Sequence, residues 1–161
     1  MAGGGQLINT GIYVIQSALM AKGEEMPVAV TASESPKTRP DYFNEVEETI
    51  NFVLEWADGS KLEGTSSGVQ GSNHFEAESA AHRLRVDPAY SYDGLRMMMD
   101  GVPRTPIDGF FQQAAQMDAF AADVINATPS VVPGAMGRRD MRLITAIYEA
   151  ARMGQRIELR S

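Results

Sequence analysis

The 161-residue sequence contains no cysteine, one tryptophan and no excess of basic side chains. Without thiols the chain has no disulfide framework, thiolate metal site or cysteine nucleophile. Its formal net charge of −7 argues against a nucleic-acid-binding surface, because such surfaces are basic. No stretch approaches the roughly 20 consecutive apolar residues of a membrane-spanning helix, and the first residues do not have the pattern of a signal peptide. We therefore expect one soluble domain over residues 1–161 in the cytoplasm, with a periplasmic location left open.

The chain begins with a glycine-rich segment and then follows a helical pattern. Residues 1–5 carry no side chain that could anchor them to a core, which favours a flexible leader as much as any specific role. Between Leu7 and Met20 the apolar residues recur every three to four positions, and Gly23 stands where a helix-ending glycine belongs. The pattern predicts a helix over roughly residues 6–22.

The middle of the chain alternates apolar and polar residues with a period of two, which predicts β-strands. Asp58-Gly59 separates two such runs and indicates a hairpin, because glycine accepts the positive φ of these turns. Further runs at 75–79, 83–86 and 94–100 continue the pattern. The last of these contains three consecutive methionines, which we interpret as packing residues of a buried strand.

The last third of the chain returns to the helical period. One apolar stripe predicts a helix of about 18 residues and consists of Phe110, Ala114, Met117, Ala121 and Val124. A second predicted helix starts near Arg138-Arg139 and ends at Gly154. Two arginines are unfavourable at a helix start, and we interpret them as a solvated pair balanced by Asp140. Alternation around Ile157 predicts a final edge strand.

Hairpins joined to helices near both chain ends indicate the α+β class. We expect an open, mostly antiparallel sheet of about five to seven strands with helices packed on one face. The other face would then be solvated or would pair with another subunit, so the pattern favours a homo-oligomer.

Few chemical motifs are visible. No Gly-x-Gly-x-x-Gly follows a strand, and there is no phosphate-binding loop or nucleophile elbow. His74 and His82 have no acidic pair at ligand spacing, so we expect them to be structural and expect no metal.

Asn9 and Tyr13 stand at i and i+4, so a helix brings their amide and phenol to one face. Such a pair can bind a polar substrate.

Several segments, in order, resemble the C-terminal domain of the Gfo/Idh/MocA oxidoreductases, most of all the glucose–fructose oxidoreductase branch. Residues 3–13 match the family pattern Gly-Gly-Gly, then Leu-x-Asp-x-Gly-x-Tyr or His, except that Asn9 replaces the aspartate. The resemblance continues over residues 39–49, 87–92, 117–121, 133–134, 139–144 and 146–152. It spans essentially the whole chain.

The resemblance implies roles that the residues alone do not. Members of the family combine an N-terminal Rossmann domain, which binds NAD(P) and carries a catalytic Glu-Lys-Pro lysine, with a C-terminal domain that closes the sugar site and forms dimers or tetramers. Tyr13 matches the acid/base tyrosine or histidine, Asn9 matches a substrate-site aspartate, and Tyr90 or Tyr92 matches a further sugar-site tyrosine. No cofactor-binding residue is implied in this chain.

We therefore expect a substrate-binding and oligomerisation domain of an NAD(P)-dependent sugar oxidoreductase, inactive alone and without tight cofactor binding. The catalytic residues would be Tyr13 and Asn9, and the substrate a sugar or polyol. The alternative is a stand-alone sugar-binding or structural assembly domain without redox activity. A Rossmann sequence upstream in the reading frame would distinguish the two.

Overall fold

The computed structural model describes residues 3–104 and 111–159. The chain divides into two compact units, one formed by Met1–Gly71 with Arg138–Ser161 and the other by Ser72–Gly137. The prediction of a single domain over the whole chain stays a prediction.

The first unit begins with a short π-helical turn that leads into α1, and it contains four strands and most of α3. Its elements are the π-turn Leu7–Gly11, α1 (Ile12–Ala21), β1 (Ala29–Glu34), β2 (Thr49–Glu55), β3 (Lys61–Ser67), α3 (Gly134–Met153) and β8 (Ile157–Glu158). The second unit contains β4 (Phe75–Glu78), β5 (Arg83–Val86), β6 (Met97–Met99), β7 (Val102–Arg104) and α2 (Gln112–Asn126). The predicted α+β class is confirmed.

In the described ranges, the strands form two antiparallel four-stranded sheets, in the orders β3-β2-β1-β8 and β4-β5-β6-β7, instead of one larger sheet. The β2–β3 ladder ends where the Gly68 amide donates to the carbonyl of Glu48 at 2.9 Å. Residues 68–74 then run without strand structure, through two glycines. The division arises because this stretch has turn composition and cannot continue the ladder.

The core of the first unit lies between one face of its sheet and the two helices. Along β2, Ile50, Phe52 and Leu54 are buried, whereas the alternate residues Asn51 and Val53 are half-buried. Leu19 of α1 and Ile147 of α3 belong to the same apolar cluster. Burying one such side chain contributes about 1.5–3 kcal/mol, so this face holds the helices on the sheet.

The opposite face of this sheet is polar. Lys61 and Glu55 face each other across the β2–β3 pair and form an ion pair of 2.9 Å. Thr65 donates to the amide oxygen of Asn51 at 2.9 Å. Helices thus pack on one face of this sheet, as predicted, and the other face carries hydrogen-bonding groups.

The second unit has an amphipathic sheet. Cross-strand partners Phe75, Val86 and Met97 share one face, and Glu76 on the other face forms ion pairs with Arg83 and Arg85. The methionines of β6 are all half-buried, so this strand is less enclosed than the buried strand predicted from the sequence.

Two helix predictions need correction. The helix α3 begins at Gly134, four residues before the predicted start, so Arg138 and Arg139 lie in its second turn, where the dipole penalty is smaller. Arg139 forms ion pairs with Asp140 and Glu24. The helix α2 has 15 residues and no buried side chain, and Phe110, the first member of its predicted stripe, lies outside the described residues.

No helix in residues 3–104 or 111–159 combines the length and the apolar character needed to cross a membrane.

Candidate functional site

Asn9 and Tyr13 lie on the exposed side of the first helical segment. Leu7, Ile15 and Leu19 are buried on the opposite side and anchor the segment to the core. The Tyr13 side chain is 55% exposed, and Asn9 is exposed as well. The core therefore determines which face the helix turns outward, and that face carries the phenol and the amide.

The turn that carries Asn9 is a π-helix, which periodicity in the sequence does not reveal. On one side it lies against β3: the hydroxyls of Thr10 and Ser66 are 2.8 Å apart, and Ser66 donates to the carbonyl of Gln6 at 2.8 Å. Gly11 permits this approach, because a Cβ there would lie 3.2 Å from the Ser66 side chain. Short π-helical turns of this kind occur frequently at functional sites.

On its other side the first turn is held by Glu47, which comes from the segment before β2. The amide of Leu7 donates to Glu47 Oε1 at 2.9 Å, and the Tyr148 hydroxyl donates to the same oxygen at 2.7 Å. Burial and the bond to Glu47 raise the pKa of Tyr148 to about 12, so the phenol remains a donor at neutral pH.

Gly5 is fixed in place by this arrangement. It is buried, its amide donates to the Tyr148 hydroxyl at 3.4 Å, and its carbonyl accepts from the backbone amide of Asn9 at 3.1 Å. A Cβ at Gly5 would lie 2.1 Å from Glu47 Oε2. The expectation of a flexible leader is therefore wrong at Gly5, where the absence of a side chain lets the carboxylate approach the backbone.

The neighbouring Glu48 holds a different segment. The amide and hydroxyl of Thr38 and the amide of Arg39 donate to its carboxylate at 2.7–3.0 Å. Burial acts to raise the pKa of Glu48, but these donors and the Arg39 charge outweigh it and lower the pKa. The consecutive glutamates thus brace two separate backbone segments.

Tyr90 and Tyr92 belong to the second unit, in the connection between β5 and β6. The side-chain oxygen of Asn73 accepts from the amides of Ala89 and Tyr90 at 3.0 and 2.7 Å. Tyr90 is half-buried, whereas Tyr92 is exposed and its carbonyl accepts from Gln112 at 3.1 Å. Asn9 and Tyr13 belong to the first unit, so the two predicted pairs lie in different units.

The two histidines have hydroxyl or carboxylate neighbours. His82 Nδ1 lies 2.8 Å from Asp100 Oδ2, and His74 Nδ1 lies 3.0 Å from the Ser72 hydroxyl. Within residues 3–104 and 111–159, no group of three or more potential ligand side chains is arranged to hold a metal ion.

The part of the chain that the structure describes contains no Rossmann-type βαβ unit. Dinucleotide-binding βαβ units need parallel strands with a glycine-rich turn at a helix start. In the described residues, every strand pair of both sheets is antiparallel. The described residues therefore lack this kind of dinucleotide-binding unit. The exposed polar groups described above are Asn9 in the π-helical turn and Tyr13 in α1.

No protein-family model matches the sequence, but solved structures do. An aldose–aldose oxidoreductase from Caulobacter crescentus, in complex with glycerol, shares 36% sequence identity with a TM-score of 0.91. The match covers 98% of this chain and 48% of that chain. The chain matches a C-terminal domain of the Gfo/Idh/MocA oxidoreductases. This Gfo/Idh/MocA-type domain thus spans about half the length of its solved relative.

More distant relatives share the fold. A myo-inositol 2-dehydrogenase from Lactobacillus plantarum matches with 18% identity and a TM-score of 0.76, over 99% of this chain and 50% of its own. The WlbA dehydrogenase from Bordetella pertussis, in complex with NADH and UDP-GlcNAcA, matches with 19% identity and a TM-score of 0.64, over 98% of this chain and 46% of its own. The recurrence shows that this Gfo/Idh/MocA-type fold tolerates wide sequence change.

Sequence reasoning did not single out Glu47 and Tyr148, which fix the start of the helix. Glu47 and Glu48 gave no signal of their own in the sequence, because their burial, which requires hydrogen-bond donors, is visible only in the structure. Tyr148 gave no signal, since its position on an apolar helix stripe equally predicts a packing residue of this Gfo/Idh/MocA-type domain.

Proposed function

We propose that this chain is the substrate-side domain of an NAD(P)-dependent oxidoreductase that acts on sugars or polyols. The observation that carries the proposal is the exposed Asn9–Tyr13 face of a helix, in a chain 36% identical to an aldose–aldose oxidoreductase solved with glycerol. The chain covers 48% of that relative, so a nucleotide-binding domain would have to complete the site. The proposal includes glucose–fructose specificity and the use of NADP rather than NAD.

The contribution of this chain is proton transfer and substrate orientation. When a carbonyl is reduced, the Tyr13 hydroxyl donates its proton to the carbonyl oxygen. In the reverse oxidation, the deprotonated Tyr13 oxygen accepts the proton of the substrate hydroxyl. A nicotinamide cofactor bound by a second domain would supply or accept the hydride. Asn9 orients the substrate because its amide both donates and accepts hydrogen bonds. Tyr90 and Tyr92 are proposed as additional sugar contacts.

Asn9 changes the charge of the proposed site relative to the family pattern. An aspartate would accept hydrogen bonds only, whereas asparagine is neutral and also donates. We expect asparagine at position 9 to bind substrate as aspartate would, and the proton transfer to the substrate oxygen to depend more heavily on Tyr13.

Titration of the isolated chain tests whether it binds sugar while the cofactor is bound by another domain. Calorimetry with NADPH and with NADH should give no measurable binding, because the described strands form no dinucleotide-binding unit. NMR titration with glucose or glycerol should shift the signals of Asn9 and Tyr13, while the signals of the β2–β3 turn at Asp58 serve as an internal control. A micromolar dissociation constant for either cofactor, or sugar-induced shifts confined to other residues, would contradict the proposal.

We also propose that copies of the chain pair through the face of the β3-β2-β1-β8 sheet opposite the helices. Asn51, Glu63 and Thr65 stand on this face with their polar groups outward, which supports a hydrogen-bonded interface. Light scattering of the purified chain should give a dimer or tetramer, and a monomer at tens of micromolar would count against it.

A further inference from the structure

The helical segment that carries Asn9 and Tyr13 consists of the π-turn and α1, and a residue from elsewhere in the chain caps its start. The residue at its N-cap, Gln6, makes no side-chain capping bond. Glu47, 40 residues away along the chain, instead accepts from the Leu7 amide at 2.9 Å. A carboxylate at this point satisfies one of the free amides of the first turn and interacts favourably with the helix dipole.

The capping carboxylate is itself enclosed. Glu47 is 4% exposed, and Oε1 accepts from the Tyr148 hydroxyl as well as from Leu7. The carboxylate can approach the backbone this closely only because residue 5 is glycine: a Cβ at this position would collide with Glu47 Oε2. An enclosed carboxylate with two donors on one oxygen has little freedom to move.

The backbone that Glu47 holds leads directly into the site residues. Asn9 lies two positions after Leu7, in a π-helical turn, and Tyr13 lies in the first turn of α1. A π-turn has a less favourable geometry than an α-turn, so contacts from outside the helix must stabilise it. Movement at Leu7 would therefore be passed to Asn9 and Tyr13 through a single helical segment.

We propose that Glu47, supported by Tyr148, is a positioning residue that fixes where Asn9 and Tyr13 stand relative to the substrate. This inference rests on the proposed function. It extends that function by assigning a role to two residues outside the exposed face that carries Asn9 and Tyr13. Displacement of a reacting group by about 1 Å can cost about 100-fold in rate, so the hydrogen bonds to Glu47 would be visible in turnover.

Hydrogen exchange of the isolated chain provides the first arm of the test. Glu47→Ala should accelerate exchange of the amides of residues 7–11 by about tenfold or more, and leave the β2 amides of residues 50–54 unchanged. Glu47→Gln, whose amide oxygen can still accept both bonds, should restore most of the protection. Tyr148→Phe, which keeps the ring and removes one donor, should give an intermediate result. Glu25→Ala, an exposed carboxylate near the other end of the helix, is the matched control.

Turnover of the complete enzyme provides the second arm. Glu47→Ala should lower kcat by about tenfold or more, with KM for the cofactor unchanged, and Glu47→Gln should recover most of kcat. If Glu47→Ala does not fold, Tyr148→Phe carries the same comparison with a smaller loss of kcat.

Three outcomes would overturn the inference. If Glu47→Ala leaves exchange at residues 7–11 unchanged, Glu47 does not cap the helix. If exchange becomes faster throughout the chain, Glu47 is a general stabilising residue. If exchange is faster only at residues 7–11 but kcat is unchanged, the cap does not position the site residues. A wild-type enzyme without oxidoreductase activity would instead contradict the proposed function, while the exchange result would still decide whether the cap exists.

Discussion

Replacing Tyr13 with phenylalanine is expected to lower turnover of the complete enzyme by about 10²–10⁴-fold, the usual contribution of a positioned acid or base. The substitution removes one oxygen from a side chain that is 55% exposed and leaves the buried face of the helix untouched. Folding should therefore be unaffected. The rate of nicotinamide reduction at saturating sugar measures the effect, and circular dichroism verifies the fold.

Tyr42→Phe provides the matched control. Tyr42 is 72% exposed and lies against the Arg39 guanidinium, 4.2 Å from its ring centroid. It loses the same hydroxyl from a surface position that the proposal gives no role. Turnover of Tyr42→Phe should stay within about twofold of wild type. Equal effects of the two substitutions would contradict an acid/base role for Tyr13.

Replacing Leu19 with alanine is expected to lower the free energy of unfolding by about 2–5 kcal/mol, the range for truncating a buried leucine. Leu19 is 0% exposed and belongs to the cluster that joins α1 to the sheet and α3. This loss of stability combines the lost transfer free energy of the removed methyl and methylene groups with the cost of the cavity that they leave. Urea unfolding of the chain, followed by circular dichroism, measures it.

The adjacent Met20 is the control for this prediction, because it is 70% exposed on the same helix. Met20→Ala should change the free energy of unfolding by no more than about 0.5 kcal/mol. The contrast between two neighbouring residues tests which side of α1 faces the core, and hence which side presents Asn9 and Tyr13. Similar losses from both substitutions would mean that the helix is oriented differently.

Local sequence signals predicted the hairpins well where they were applied. Asp58-Gly59 marks the β2–β3 turn, and Gly59 has the expected positive φ of 85°. The same Asp-Gly pair at 100–101 joins β6 to β7, with φ values of 54° and 77°. The sequence patterns did not predict β7, a three-residue strand that contains Pro103. Proline is compatible with the edge position that β7 occupies.

Long-range contacts account for the parts of the site that sequence reasoning could not supply. The spacing of Asn9 and Tyr13 predicted a shared face, which depends only on local helix geometry. The cap by Glu47 and its contact with Tyr148 join positions 101 residues apart in sequence. Such a contact has no local pattern, and the glycines that permit it resemble a flexible linker until the carboxylate beside Gly5 is seen.

Transfer of an isotopic label tests the central claim most directly. The complete enzyme, with its nicotinamide cofactor, is incubated with aldoses and polyols that carry deuterium on the carbon to be oxidised. We expect deuterium to appear on the reduced nicotinamide with the wild-type enzyme, and Tyr13→Phe to slow this transfer by about 10²–10⁴-fold. A folded, cofactor-loaded enzyme that transfers no deuterium from any of these substrates would contradict that claim.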